Sequence, residues 1–123
     1  MGVPLYQAKA EFFRTLGHPA RIRILELLCE REHAVHELLE QLDIEPSNLS
    51  QQLAVLRRTS LVVSHRHRGQ VSYSIAAPDV RDLLVAARRI LVSLGHVQNG
   101  AAVDDPRGSA NTPVELTATG SRR

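Results

Sequence analysis

The spacing of apolar residues changes from a helical to a strand-like period once along this sequence, and then changes back. Apolar residues recur every three or four positions in separate segments between 6 and 59, with breaks at Gly17 and at 43–46. From 61 to 75 apolar and polar residues alternate instead, around Arg68 and Gly69. A helix buries every third or fourth side chain and a strand every second, so this order predicts helices, one hairpin and a final helix.

Four helices are predicted before the hairpin and one after it. Gly17 ends the first helix, and Pro19 takes a favoured first-turn position in the second. The second helix is too densely apolar for a surface position, so it should run through the core. Pro46 follows a tight turn, because the residue before a proline avoids helical geometry. The fold class is therefore mainly α with a small β-hairpin; the helices are predicted at 6–16, from 19 onward, at 35–42, at 47–59 and from about 78 to 94, and the strands at 61–67 and 70–75.

The length of 123 residues is enough for one domain with a modest core. From about residue 99 the composition shifts to Gly, Ala, Ser, Thr, Asp and Pro without periodicity. This shift predicts a folded domain at 1–98 and a disordered tail at 99–123. The sequence has no long apolar segment and no apolar leader, so we expect a cytoplasmic protein without a membrane partner.

The first and last helices carry more apolar surface than one thin domain can cover. The first has Phe12 and Phe13, and the last has Leu91 and Leu94 near its end. Apolar faces of this size are usually covered by a partner, and two-fold pairing is the commonest arrangement. We therefore predict a homodimer joined through these two helices.

Charged residues are segregated along the chain. Between 46 and 76 there is no Asp or Glu, whereas Arg57, Arg58, Arg66 and Arg68 are all basic. The preceding segment, 26–45, is rich in acids instead. By separating its charges, a chain with a net charge of only +2 can form one face that tolerates phosphates. The alternative is that the segment 46–76 lacks Asp and Glu by chance.

The predicted fourth helix has two unlike stripes. Its apolar stripe consists of Leu49, Leu53 and Leu56, and the opposite stripe is small, polar and basic. Short side chains permit close approach to the major groove of DNA, while Gln and Asn pair with adenine and Arg pairs with guanine. A hairpin with an Arg-Gly tip can reach the adjacent backbone or minor groove. The candidate DNA-binding residues, each of which is otherwise an ordinary exposed polar residue, are Ser47, Asn48, Ser50, Gln51, Gln52, Arg57, Arg58, Arg66, Arg68 and Gln70.

Three stretches, in this order, resemble the ArsR/SmtB family of winged helix-turn-helix repressors. They are LGHPARIRIL at 16–25, PSNLSQQLAVLR at 46–57, and the hairpin segments LVV at 61–63 and GQVSYSI at 69–75. The resemblance covers about residues 8–94. It implies a dimeric winged helix-turn-helix fold that binds an imperfect inverted repeat in double-stranded DNA and is released by an inducer, often a metal ion. It also implies that Ser47, Ser50 and Gln51 read DNA while the hairpin contacts the backbone.

The metal sites known in this family are mostly missing here. The positions of its Cys-x-Cys pair hold Ala34 and His36, and Cys29 is the single cysteine. Soft ions such as arsenite, lead and cadmium are therefore not expected, because they require sulfur ligands. Nitrogen and oxygen donors remain, and these suit nickel, zinc or cobalt. The candidate ligands are His33, His36, Glu37 and His96. The alternative is that the histidines are ordinary exposed side chains and that His96 only lies at an exposed helix end.

The sequence thus predicts a sequence-specific DNA-binding repressor that responds to nickel, zinc or cobalt. The alternative is a winged-helix regulator controlled by a partner protein or a non-metal signal, with no specific metal site. A third hypothesis is a protein-interaction module that has lost its DNA contacts. The sequence argues against it, because such a module would have no reason to keep the polar stripe free of carboxylates. An enzyme is not expected, because the sequence has no Gly-rich phosphate loop and no recognisable Ser-His-Asp arrangement.

Overall fold

A computed structural model describes residues 2–98 of the chain. This part contains five helices and three strands and confirms the predicted fold class. None of its helices is long and apolar enough to cross a membrane. The elements are α1 (Leu5–Leu16), α2 (Pro19–Glu30), β1 (His33–Ala34), α3 (Val35–Gln41), α4 (Pro46–Arg58), β2 (Val62–His67), β3 (Gln70–Ile75) and α5 (Asp79–Ser93).

The core is built around α2, as its dense apolar pattern predicted. Ile24 and Leu25 are fully buried, and α2 packs against α1, α4 and β3. The apolar stripe of α4 faces this core, with Leu49 and Leu56 at 0% exposure. Aliphatic side chains therefore make up most of the interior, which suits a chain with 3% aromatic residues.

The sheet contains one strand that the sequence pattern did not predict. β1 pairs antiparallel with β3, so that His33 lies opposite Tyr73 and Ala34 opposite Ser72. The strand order is β1-β3-β2. A strand of two residues is too short to show alternation, so only its pairing with β3 identifies it.

Local sequence signals explain where the helices begin and end. α2 begins at Pro19, and Nδ1 of His18 accepts the backbone N–H of Ala20 at 3.1 Å. Both α4 and α5 are followed by a residue with positive φ, Ser60 at 65° and Gly95 at 81°. A left-handed residue of this kind is a common helix stop.

The backbone divides into two compact units after Val80. The first unit contains α1 to β3, and the second contains nearly all of α5. In the second unit Leu83 and Leu84 are half-buried. The tail predicted at 99–123 lies outside the described residues.

Candidate nucleic-acid interface

The polar stripe of α4 is exposed along its length. Ser47, Ser50, Gln51 and Ala54 are all exposed, and Arg57 and Arg58 follow at the end of the helix, also exposed. The buried leucines hold the opposite side of α4 against the core. The helix thus presents small and polar side chains first and two arginines last.

The β2–β3 hairpin turns at the residues that the sequence predicted. Arg68 and Gly69 have φ values of 57° and 76°, as the two central residues of a type I′ turn require. His67 pairs with Gln70 beside the turn, and the hairpin is exposed from residue 63 to residue 70. Because β2 packs against α4, the arginine-bearing tip and the polar stripe belong to one compact unit.

Acidic side chains are absent from both surfaces but present nearby. No Asp or Glu occurs between residues 46 and 76. Glu32 accepts a hydrogen bond from the Ser72 hydroxyl of β3, and Glu32 and Glu37 line the groove beside the hairpin residue Arg66. The α4 stripe and the hairpin tip are therefore built from neutral and basic residues.

Gln52 differs from the expectation that it contacts DNA directly. Its side chain is 8% exposed, on the flank of α4 that faces α2. Its Oε1 accepts the Nε–H of Arg21 at 2.8 Å, and its Nε2 donates to Oδ1 of Asn48 at 2.8 Å. Because this amide is buried and both of its ends face protein partners, it does not point towards DNA, and this prediction was wrong.

Arg21 was missed by the sequence reasoning. Its NH1 also donates to the carbonyl of Thr15 at 2.9 Å, so one guanidinium joins the end of α1, α2 and α4. A charged residue within the most apolar helix was the available signal. Such a residue requires buried acceptors, although the sequence does not say where they lie.

A groove of about 700 Å³ lies between the β1–α3 segment and the hairpin. Nε2 of Gln70 donates to Nδ1 of His36 across it at 3.2 Å. Its polar lining includes Glu32, His36, Glu37, His65, His67 and Gln70.

The four candidate metal ligands do not form a common site within residues 2–98. His33 is 3% exposed, and its Nδ1 donates to the carbonyl of Arg31 at 2.9 Å. Glu37 accepts the backbone N–H of Ala34 at 2.8 Å, whereas His36 and His96 are exposed. No three His, Cys, Asp or Glu side chains in this part of the chain are arranged to hold a metal ion. The donors within residues 2–98 of one protomer therefore do not fit a resident metal.

The backbone hydrogen bond to Glu37 also changes its acidity. The N–H of Ala34, followed by the guanidinium of Arg31 at 3.4 Å, stabilises the ionised carboxylate and lowers the pKa of Glu37. Glu37 thus acts as an N-terminal cap for α3.

Known proteins resemble this chain in both sequence and structure. The family described as "Bacterial regulatory protein, arsR family" matches residues 18–64. The HTH-type transcriptional regulator Rv0081 of Mycobacterium tuberculosis (strain H37Rv) is 60% identical over 89 residues, which are 72% of this chain and 78% of that protein. The crystal structure of M. tuberculosis Rv0081 matches with a TM-score of 0.68 at 57% identity, over 75% of this chain and 93% of that chain.

Two further relatives extend the likeness. A biofilm growth-associated repressor of Agrobacterium fabrum is 39% identical over 77 residues, covering 63% of this chain and 66% of the repressor. The homodimeric winged helix-turn-helix DNA-binding domain Mb0332 of Mycobacterium bovis matches with a TM-score of 0.66 at 26% identity, over 76% of this chain and 88% of that domain. The helices, the three-stranded sheet and these similarities agree: the chain belongs to the arsR family of bacterial regulatory proteins and is a transcriptional regulator with a winged helix-turn-helix fold.

Proposed function

We propose that this regulator binds double-stranded DNA through α4 and the β2–β3 hairpin and represses transcription. One observation carries this proposal. The exposed polar stripe of α4 and the arginine-bearing tip of the hairpin belong to one compact unit, in a segment without Asp or Glu. α4 would lie in the major groove, where Ser47, Ser50 and Gln51 approach the base edges. Arg58, Arg66 and Arg68 would contact phosphates and supply the sequence-independent part of the affinity.

We also propose that the regulator acts as a homodimer through α1 and α5. On α1, Leu5 is 69% exposed, Tyr6 71% and Phe13 53%. Ile90 of α5 is 56% exposed, and Leu94, directly after the helix, is 62% exposed. Large apolar side chains exposed on both helices favour burial against a second copy. The M. bovis relative is itself homodimeric. A two-fold dimer would place two α4 helices about 34 Å apart, one turn of DNA, and would select an imperfect inverted repeat.

The signal that releases DNA has two candidate classes. Control by nickel, zinc or cobalt would need donors from two protomers around His36 and His96, because the candidate ligands in the described part of one protomer do not converge. Control by a partner protein or a non-metal signal requires no such site. The buried His33 and the engaged Glu37 favour the second class.

Fluorescence anisotropy tests the DNA-binding proposal directly. The full chain is titrated onto a labelled duplex from its own upstream region and onto a scrambled duplex of equal composition. We expect tighter binding to the upstream duplex and a steep loss of affinity with added salt. Equal, weak binding to both duplexes would contradict sequence-specific repression.

The same titration, repeated with each metal, distinguishes the two classes of signal. A change in affinity of about tenfold or more with nickel, zinc or cobalt, about 1.4 kcal/mol of coupling, would establish metal control. Tight binding that is indifferent to all three metals would favour control by a partner protein or a non-metal signal.

A further inference from the structure

Three side chains form a continuous hydrogen-bonded chain from α2 to the first turn of α4. Arg21 of α2 donates to Gln52, and Gln52 donates in turn to Asn48, with both distances 2.8 Å. Arg21 and Asn48 are half-buried and Gln52 is buried. The hydrogen-bonded chain therefore runs from half-buried Arg21 through buried Gln52 and ends beside the exposed stripe at Ser47 and Gln51.

The chemistry of Arg21 fixes the direction of every bond in this chain. A guanidinium has only donors, so the atom of Gln52 that faces it must be the oxygen. The Gln52 nitrogen then points towards Asn48, and the atom of Asn48 that meets it must also be the oxygen. The order does not depend on a free choice of amide orientation, because reversing either amide would place two donors or two acceptors face to face.

The outward end of Asn48 is consequently its amide nitrogen. Nδ2 of Asn48 donates to no acceptor among residues 2–98. An asparagine pairs with adenine through both ends of its amide, by accepting from N6 and donating to N7. Because Oδ1 of Asn48 faces Gln52, it does not point outward beside Nδ2 as the two-point contact with adenine requires, so this orientation favours donation from Nδ2 alone.

We propose that Arg21 is a positioning residue that makes Asn48 a pure hydrogen-bond donor towards DNA. Asn48 would then select acceptor-only partners, either a phosphate oxygen or the guanine edge with its O6 and N7, and would not read adenine by a paired contact. This inference rests on the proposed DNA-binding function. It adds that a residue of α2, which does not itself touch DNA, determines what α4 recognises.

Two contacts of the Arg21 guanidinium explain why the direction of donation along this chain would be stable. A second donor of the same guanidinium holds the carbonyl of Thr15 at 2.9 Å, so the side chain is fixed from two directions. A planar fork with several donors can make both contacts at once, which a lysine ammonium cannot do with the same rigidity. The position of Asn48 is thereby set by packing between helices and not by solvent.

The variant Gln52→Glu tests the direction of these hydrogen bonds and hardly changes the shape of the side chain. The new carboxylate accepts from Arg21 but has no proton for Asn48, so Asn48 should turn its nitrogen inward and its oxygen outward. We expect affinity for the upstream duplex to fall about tenfold, since the hydrogen bond that Asn48 donates to DNA is lost and its oxygen would face an acceptor instead. In an Asn48→Ala background the same substitution should cost less than about twofold, which measures the effect of the added charge alone.

Equal losses in the two backgrounds would overturn the proposal, because Gln52 would then act independently of Asn48. Thermal unfolding of each variant shows whether it is folded. Arg21→Met in the same two backgrounds removes the donor that fixes the Gln52 oxygen and adds no negative charge, so it should lower affinity only where Asn48 is present. Comparing Asn48→Ala on specific and scrambled duplexes identifies the acceptor: similar losses on both indicate a phosphate, and a loss confined to the specific duplex indicates a guanine.

A measurement on the free protein separates failure of this proposal from failure of DNA binding. The side-chain amide protons of Gln52 should exchange with water at least about tenfold more slowly than those of Gln51, its exposed neighbour. Those of Asn48 should exchange as fast as those of Gln51. Protection of Asn48 with rapid exchange of Gln52 would reverse the direction of donation and overturn the proposal, whether or not the protein binds DNA.

Discussion

The backbone N–H of Leu61 donates to the carbonyl of Leu56 at 3.0 Å, and this bond closes the end of α4. A second bond runs from the N–H of Ser60 to the carbonyl of Arg57, also at 3.0 Å. The two bonds form a Schellman motif, and buried Leu56 and Leu61 supply its apolar contact. The motif places Ser60 in the left-handed region, with φ at 65°, immediately before the hairpin strand β2.

Ser60→Gly should therefore stabilise the protein. Glycine adopts positive φ without the steric cost of a Cβ atom, which is about 1 kcal/mol for an L-residue. We expect a rise of about 4–8 °C in the midpoint of thermal unfolding. Gly95→Ser is the reciprocal control, because Gly95 closes α5 through the same motif at a φ of 81°. It should lower stability by a similar amount, and an unchanged midpoint for Ser60→Gly would refute the assigned strain.

Arg68→Asn should change stability and DNA affinity in opposite directions. Arg68 has a φ of 57° in the hairpin turn, and asparagine tolerates this region better than arginine. The free energy of unfolding in urea should rise by a few tenths to about 1 kcal/mol. Affinity for DNA should fall, because a basic side chain is removed from the tip. Arg66→Asn is the control: it removes the same charge from within β2 and should weaken binding without any gain in stability.

Arg58→Ala and Gln51→Ala should separate phosphate contact from base reading. Loss of Arg58 should weaken binding to specific and scrambled duplexes alike and reduce the slope of log affinity against log salt by about 0.9. Loss of Gln51 should instead reduce the preference for the specific duplex and leave the salt slope unchanged. Anisotropy titrations over a range of salt concentrations measure both quantities. An equal loss on both duplexes for Gln51→Ala would reject its reading role.

The cap formed by Glu37 should make stability depend on acid pH. The backbone N–H of Ala34 holds the pKa of Glu37 below its ordinary value in the folded state. Its contribution is therefore present above the unfolded-state pKa and is lost as pH falls through the lower folded-state pKa. Glu37→Gln keeps an acceptor but does not titrate. Urea unfolding should show the native protein more stable than this variant near neutral pH, with the difference shrinking under acid conditions; a difference constant with pH would contradict the assignment.

Phe13→Asp should favour the monomer. Phe13 is 53% exposed on α1, with its ring centroid 5.4 Å from that of Phe12. A carboxylate at a buried apolar interface is strongly unfavourable. Light scattering at micromolar concentration should show a dimer for the native chain and a smaller mass for the variant. Val63→Asp, on the exposed hairpin, should leave the mass unchanged. A native chain that is already monomeric would contradict the dimer proposal.

The sequence by itself determined the features that depend on local geometry. The helical periods located α1 to α5, the alternation located β2 and β3, and the Arg68-Gly69 pair located the turn. The exposed stripe of α4 was predictable for the same reason, because spacing along a helix decides which residues share a face.

Only the tertiary structure decided which residues from distant segments contact each other. β1 exists because His33 and Ala34 meet β3, about 40 positions further along the chain. Gln52 shares the i, i+3, i+4, i+7 face of α4 with Leu49, Leu53 and Leu56, so spacing already favours its burial. Only the structure shows that Arg21, 31 positions earlier, reaches it from α2. Periodicity identifies the faces of an element but carries no information about the partner that packs there, so contacts between distant segments appear only when the chain is folded.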